Sequence, residues 1–239
     1  MSLNSFTFNG KDSWEDFGVY IGGQGTYNAP QRVITKTSIP GRNGDLLHDE
    51  GRYMNATVTY NVVVMHEFRE KTDELRAWLL SPTTYVRLTD TYHPDEYRMA
   101  IVSGGLDFET SAYNLTGKTQ VIFDCKPQRF LKSGENTITL TASGTVTNPT
   151  LFDSKPLITV YGNGVCSFTL RNKTVTITDV SSYVVVDSES MNVYKGATSM
   201  NDKATLSDEG FPVLIPGNNG ITLGGNTTKL EIVGRWWTV

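Results

Sequence analysis

Apolar and polar residues alternate along most of the chain with a period of two, the pattern of a strand with one buried face. Phe6 and Phe8 flank Thr7 and share a face before Asn9-Gly10, a turn pair. Phe17, Val19 and Ile21 repeat the pattern before the glycine cluster Gly22-Gly23-Gln24-Gly25. A polar, extended stretch then runs through Pro30 to Pro40 and reads as a long arm or irregular loop. Pro40-Gly41-Arg42-Asn43-Gly44-Asp45 follows as a turn-rich block. Residues 52–65 form the clearest long strand, with Val58, Tyr60, Val62 and Val64 on one face. Further strands are predicted at 85–88, 97–103, 106–113 and 118–125.

One segment breaks this period. Residues 66–80 predict a helix, because Phe68, Leu75 and Leu79 form an apolar stripe bordered by Thr72 and Trp78. Charged residues cover the other side. Glu67 and Lys71 make a favourable i,i+4 pair there, Glu70 and Glu74 a like-charge one. Ser81-Pro82 ends the helix, since proline disfavours helical geometry in the residue before it. Strands with a single helix packed on them make residues 1–133 an α+β domain. Beyond Ser133-Gly134-Glu135 no helix pattern appears. Short strands are expected at 137–141, 157–161, 165–170, 174–178, 182–187, 191–194, 211–215, 221–223 and 229–235. Gly162-Asn163-Gly164, Arg171-Asn172-Lys173 and Gly217-Asn218-Asn219-Gly220 supply turns between them. That rhythm predicts an antiparallel β-sandwich over residues 134–239. The fold class is therefore mainly β.

Composition agrees. The charged fraction of 19% lies below the usual quarter, and Thr, Val and Gly are abundant, as a β-rich chain with short connections requires. The 239 residues suffice for two domains of ordinary size, roughly 100–150 residues each. There are 14 basic and 16 acidic residues up to residue 133, and 7 and 9 beyond it. Neither part carries the basic face of a nucleic-acid binder. The absence of a long apolar run predicts a soluble chain, and the start Met1-Ser2-Leu3-Asn4-Ser5 does not read as a signal peptide. Cys125 and Cys166 lack disulfide or metal spacing and read as small buried hydrophobes.

Signatures of catalysis are weak. His48, His66 and His93 lie in separate segments, and no G-x-S-x-G elbow exists. His66-Glu67-Phe68-Arg69-Glu70 opens like a zinc-protease helix but puts Glu70 where the second histidine belongs. Neither Lys-Ser/Thr nor a helix follows Gly22-Gly23-Gln24-Gly25, so no phosphate cradle is built. The acidic pairs Asp49-Glu50, Asp95-Glu96, Asp187/Glu189 and Asp208-Glu209 sit near turns, and a glycosidase would need two of them facing each other. Of the adjacent Trp236 and Trp237, one is expected in the core. The other is left for a sugar, the first domain or an interface. No catalytic, cofactor or metal residue is assigned.

The same segments, in order, resemble the distal tail proteins of long-tailed siphophages. Phe6-Thr7-Phe8-Asn9-Gly10-Lys11-Asp12-Ser13 and Phe17-Gly18-Val19-Tyr20-Ile21 resemble the family's opening. Ile39-Pro40-Gly41-Arg42-Asn43-Gly44-Asp45-Leu46-Leu47, then Gly51-Arg52-Tyr53, is similar to its most recognisable block. Leu75-Arg76-Ala77-Trp78-Leu79, Leu88-Thr89-Asp90 and Tyr97-Arg98-Met99-Ala100 continue the match to Phe123-Asp124-Cys125-Lys126-Pro127-Gln128-Arg129-Phe130. Val185-Val186-Asp187-Ser188-Glu189, Phe211-Pro212-Val213-Leu214, Pro216-Gly217-Asn218-Asn219 and Arg235-Trp236-Trp237 resemble the second half.

The resemblance implies a homohexameric ring at the end of the tail tube, built by the N-terminal domain, with a galectin-like sandwich projecting outward. It implies the major tail tube protein on one side and a tail-associated hub or lysin protein on the other. Tape-measure, receptor-binding or baseplate proteins are further partners, without nucleic-acid binding or membrane insertion. It also implies residence in the virion after assembly in the host cytoplasm, and no enzymatic activity. On this reading residues 25–39 find partners on a neighbouring subunit. The pairs Arg42/Asp45 and Arg52/Asp49 either fix register across that contact or are ordinary surface charges. Two rivals stand beside it. One is a carbohydrate-binding module stacking sugars on Tyr183, Tyr194 or Trp237; the other is a glycoside hydrolase.

Overall fold

The computed structural model describes residues 3–111, 115–207 and 210–239. The chain divides into two compact units, Met1–Arg129 and Phe130–Thr238. In the first, the elements are β1 (Phe6–Phe8), β2 (Lys11–Asp12), β3 (Val19–Ile21), β4 (Arg32–Thr37), β5 (Leu46–Tyr53), β6 (Ala56–Val64), α1 (Phe68–Leu80), β7 (Val86–Asp90), β8 (Glu96–Val102), β9 (Glu109–Ser111) and β10 (Thr116–Cys125). The main sheet is antiparallel, in the order β2-β1-β7-β8-β10-β6-β3, with β9 added to β10. Its two ends meet: Ile21 N–H donates to the Asn4 carbonyl at 2.7 Å and Val19 N–H to that of Ser13 at 2.8 Å. The sheet is thus curled almost closed, which protects its edges.

Strict alternation fills the inside. Val58, Tyr60, Val62 and Val64 of β6 and Val121, Phe123 and Cys125 of β10 point inward. Phe6 stacks on Trp78 with centroids 5.6 Å apart, and the Trp78 indole N–H donates to the Phe8 carbonyl at 3.0 Å. Helix α1 buries Leu75 and Leu79 of the predicted stripe with its borders Thr72 and Trp78, while Phe68 is only partly buried against the core. Its polar face differs from expectation, because Lys71 pairs with Glu74 at 3.0 Å rather than with Glu67. Glu67 precedes the helix in a left-handed conformation, φ 51°. The long strand expected over 52–65 is broken at Met54-Asn55 into β5 and β6. Of the strand expected over 106–113 only β9 forms, and residues 112–114 lie outside the described set.

The second unit contains β11 (Arg129–Leu131), β12 (Thr137–Leu140), β13 (Gly144–Asn148), β14 (Leu157–Leu170), β15 (Lys173–Asp187), β16 (Asn192–Lys195), β17 (Thr198–Ser199), β18 (Ala204–Leu206), β19 (Gly217–Val233) and β20 (Trp237–Thr238). Apart from β11 and β20, which pair with each other, these pair antiparallel in the order β12-β19-β14-β15-β16-β17, with β13 on β19 and β18 on β15. The short strands expected here are merged in pairs into β14, β15 and β19. Each long strand buries residues in two runs separated by an exposed bend: Ile158 and Val160, then Cys166, Phe168 and Leu170, in β14. All five belong to one core, so a single sheet folds over itself in the manner of a sandwich.

Bulges make the bend. Pairing of β14 with β15 and with β19 shifts register between residues 161 and 166. Asp179 and Ser182 of β15 take left-handed φ angles of 57° and 71°. Gly162 is packed so closely that a Cβ there would lie 2.3 Å from the Asn226 carbonyl oxygen and 2.4 Å from Cys166 Sγ. Gly162-Asn163-Gly164 is therefore a bend inside a strand, not the expected turn. Residues 217–220 likewise open β19, and Asn219 is buried there with bonds to Ile215 N–H and C=O. Arg171 does turn the chain, at φ 57° between β14 and β15. The strand expected at 211–215 reduces to one bridge between Leu214 and Ser154.

Candidate functional site: an exposed hairpin and its root

Strands β4 and β5 stand apart from both sheets as a two-stranded hairpin. Thr35 faces His48, Lys36 faces Leu47 and Thr37 faces Leu46, with an irregularity between Arg32 and Ile34. Eight residues of β5 reach about 27 Å at a strand's rise. Neither strand contains a buried residue, and Leu47 is 61% exposed, with Ile34, Ile39 and Leu46 also open to solvent. Besides its ladder, the hairpin carries charge contacts, with Arg32 also 5.8 Å from the Tyr53 ring centroid. Arg32 pairs with Asp49, Arg52 with Glu50 at 3.2 Å, and the Thr35 hydroxyl donates to Glu50 at 3.1 Å. The Gly51 N–H bond, with help from Arg32, holds the Asp49 carboxyl below its ordinary pKa.

This changes the expected charge pairing. Asp49 belongs to Arg32 and Arg52 to Glu50, both within the hairpin, and no ion pair joins Arg42 to Asp45 among the described residues. Strand β4 brings Arg32 across the ladder to Asp49.

The root of the hairpin is fixed to its own unit. Thr26 Oγ1 donates to the Thr59 carbonyl at 3.2 Å, and Asn28 Nδ2 donates to that of Thr57. Arg98 Nη2 donates to Asn28 Oδ1 at 3.1 Å, and Arg129 donates to the Asn28 carbonyl. Tyr92 donates its hydroxyl to Gly23 at 2.7 Å, and its ring lies where a Cβ on Gly25 would be, 2.6 Å away. Residues 23–28 thus have partners in their own chain, unlike the expectation that the whole stretch 25–39 seeks a neighbour. Below them sits a polar network. Tyr60 donates to Asp90 at 2.5 Å, and His93 contacts Asp90 through its backbone N–H at 2.7 Å and Nδ1 at 3.0 Å. Burial, then the Asp90 charge, raises the Tyr60 pKa far above normal. Burial and the neighbouring Arg129 lower that of Arg98. The sequence shows Tyr60, Asp90, His93, Arg98 and Arg129 only in separate segments and gives no signal for Asn28, because long-range packing alone brings the six together.

Of the other carboxylates considered for hydrolysis, Glu96 is engaged by Arg129 at 3.5 Å, Asp187 by Arg235 at 2.6 Å and Glu189 by Lys155 at 3.5 Å. Asp208 and Glu209 lie outside the described residues. Among the aromatic candidates for a sugar, Tyr183 sits opposite Tyr161, with Lys195 Nζ 5.6 Å from its ring centroid. Lys229 Nζ lies 3.9 Å from that of Tyr161. Tyr194 pairs opposite Val185. Trp237 stacks on Phe152 at 4.5 Å and donates to the Asp153 carbonyl, while Trp236 is in the core. Lys195 thus covers one face of Tyr183 and Phe152 one face of Trp237. Cys125 and Cys166 are both free and buried, and burial pushes the Cys125 thiol up to about 12.

The full-length architecture has a counterpart among solved structures. The Dit protein of phage SPP1, described as a paradigm of the hub adsorption apparatus in phages that infect Gram-positive bacteria, superposes with a TM-score of 0.78. The match covers 100% of both chains at 15% identity. This chain has the Dit fold. A chain of the phage p2 baseplate, in its activated conformation with strontium, matches at a TM-score of 0.55 and 10% identity over 97% of each chain. No protein-family model and no curated protein sequence matches the chain. The Dit fold places strands and one helix in the order the alternation predicts, within an architecture shared at an identity where few side chains are common.

Proposed function

We propose that this chain is a structural protein of a phage tail tip. Copies of it form a homohexameric ring at the distal end of the tail tube and serve as the adaptor for hub or baseplate assembly and host attachment. The observation that carries this reading is the hairpin. Two strands with no buried residue are marginal in water on their own. A long hairpin with exposed Ile34, Leu46 and Leu47 therefore gains its stability from a surface outside the unit that anchors it. A ring made of one chain needs head-to-tail contacts between unlike surfaces, and a projecting hairpin received by the next copy supplies such a contact. Full-length likeness to SPP1 Dit supports the same role.

In this reading the chain has no enzymatic activity. The tail tube protein and a hub protein occupy opposite faces of the ring, receptor-binding or baseplate proteins its periphery, and the assembled virion is its location. The net charge of −4 suits a ring through which DNA passes, because basic walls would retain phosphates. Negative-stain electron microscopy of the purified chain tests the proposal. Closed rings with six-fold symmetry are expected; single small particles at every concentration, or open filaments, would overturn it.

A further inference from the structure

Beneath the hairpin root, Tyr60, Asp90, His93, Glu96 and Arg98 line a small pocket of about 20 Å³ together with Leu88, Thr89 and Tyr97. That volume is enough to hold one water. Two of the lining side chains carry a buried polar atom without a protein partner, His93 Nε2 and Arg98 Nη1. Their polarities are opposite. The Asp90 carboxylate accepts from Tyr60 and faces His93 Nδ1 at 3.0 Å, so the neutral imidazole carries its proton on Nδ1 and accepts at Nε2. Arg98 Nη1 is only a donor. Arg98 is 9% exposed, and its other terminal nitrogen is committed to Asn28.

We infer that this pocket is a binding site for a single structural water. Its oxygen accepts from Arg98 Nη1, one hydrogen goes to His93 Nε2, and the second is offered to the Tyr60 oxygen or the Glu96 carboxylate. A cation would face the Arg98 guanidinium, and a halide cannot donate to Nε2. Leaving two buried polar atoms unpaired would cost about 1–3 kcal/mol each. The water completes the bonding of the arginine that holds Asn28, so the hairpin departs from a fully satisfied polar node. The relevance of that node to assembly rests on the ring proposal, but the site does not.

A crystal structure of the full chain, at a resolution that orders solvent, tests the site, together with a bromide soak. The expected result is one fully occupied solvent peak within hydrogen-bond reach of both His93 Nε2 and Arg98 Nη1, carrying no bromide signal. An empty pocket, a bromide peak in it, or a protein atom bonded to Nε2 would overturn the inference. Each outcome is read whatever the oligomeric state.

Discussion

At the scale of residues, buried polar groups carry more consequence than surface ones. The hydroxyl of Tyr60, whose ring is 2% exposed, ends on the Asp90 carboxylate. Tyr60→Phe removes one of that carboxylate's donors without changing the ring, so a loss of about 1–3 kcal/mol is expected in chemical denaturation. An unchanged midpoint would contradict the network. Asp187 gives a pH-dependent counterpart. Burial raises its pKa, but the bond and charge of Arg235, with bonds from Glu189 and Ser190, outweigh this and hold it below normal. A folded-state pKa below the unfolded one means that the stabilisation is complete above the unfolded value, about 4 for a carboxylate, and is lost as pH falls through the folded value. Asp187→Asn is therefore expected to be less stable than the parent at pH 7, with the gap closing below about pH 4. A gap of constant size across that range would show that Asp187 is not ionised by virtue of Arg235.

At the scale of elements, the bend in β14 and the hairpin make the sharpest claims. Gly162→Ala would drive a methyl into the Asn226 carbonyl and Cys166 Sγ, both of them fixed in the core bend. Overpacking of this kind costs about 1–3 kcal/mol, so a clear drop in melting temperature is expected. Parental stability would mean that the bend relaxes freely. Replacing residues 32–53 by a short linker, with the anchored root 23–28 kept, is expected to abolish assembly while leaving both cores intact by circular dichroism. Persistence of the assembled form would refute the hairpin's role.

The same elements show what is legible in sequence. Period-two alternation located most of the longer strands but not β2, β4, β11, β13, β17, β18 or β20, and the stripe Phe68, Leu75 and Leu79, bordered by Thr72 and Trp78, located the helix. Alternation says nothing about whether a glycine-rich break is a turn or a bulge, since both need the same permissive residues. Gly162-Asn163-Gly164 and Gly217-Asn218-Asn219-Gly220 were misread on that account. Strand β4 was legible only as a polar arm, because a hairpin with no buried face leaves no hydrophobic period. The Asn28, Arg98 and Arg129 anchor joins residues 70 and 101 positions apart, a pairing that no local pattern encodes.

At the scale of the whole molecule, a chain with the Dit fold carries an element that its own cores do not stabilise. The central claim is that the missing stabilisation comes from further copies of the same chain. Light scattering coupled to size-exclusion chromatography tests this most directly, since it reports absolute mass without assuming shape. Six copies of 26.5 kDa predict one discrete species near 159 kDa, roughly constant across the elution peak. A species of 26.5 kDa that persists over a wide range of concentration would contradict the account.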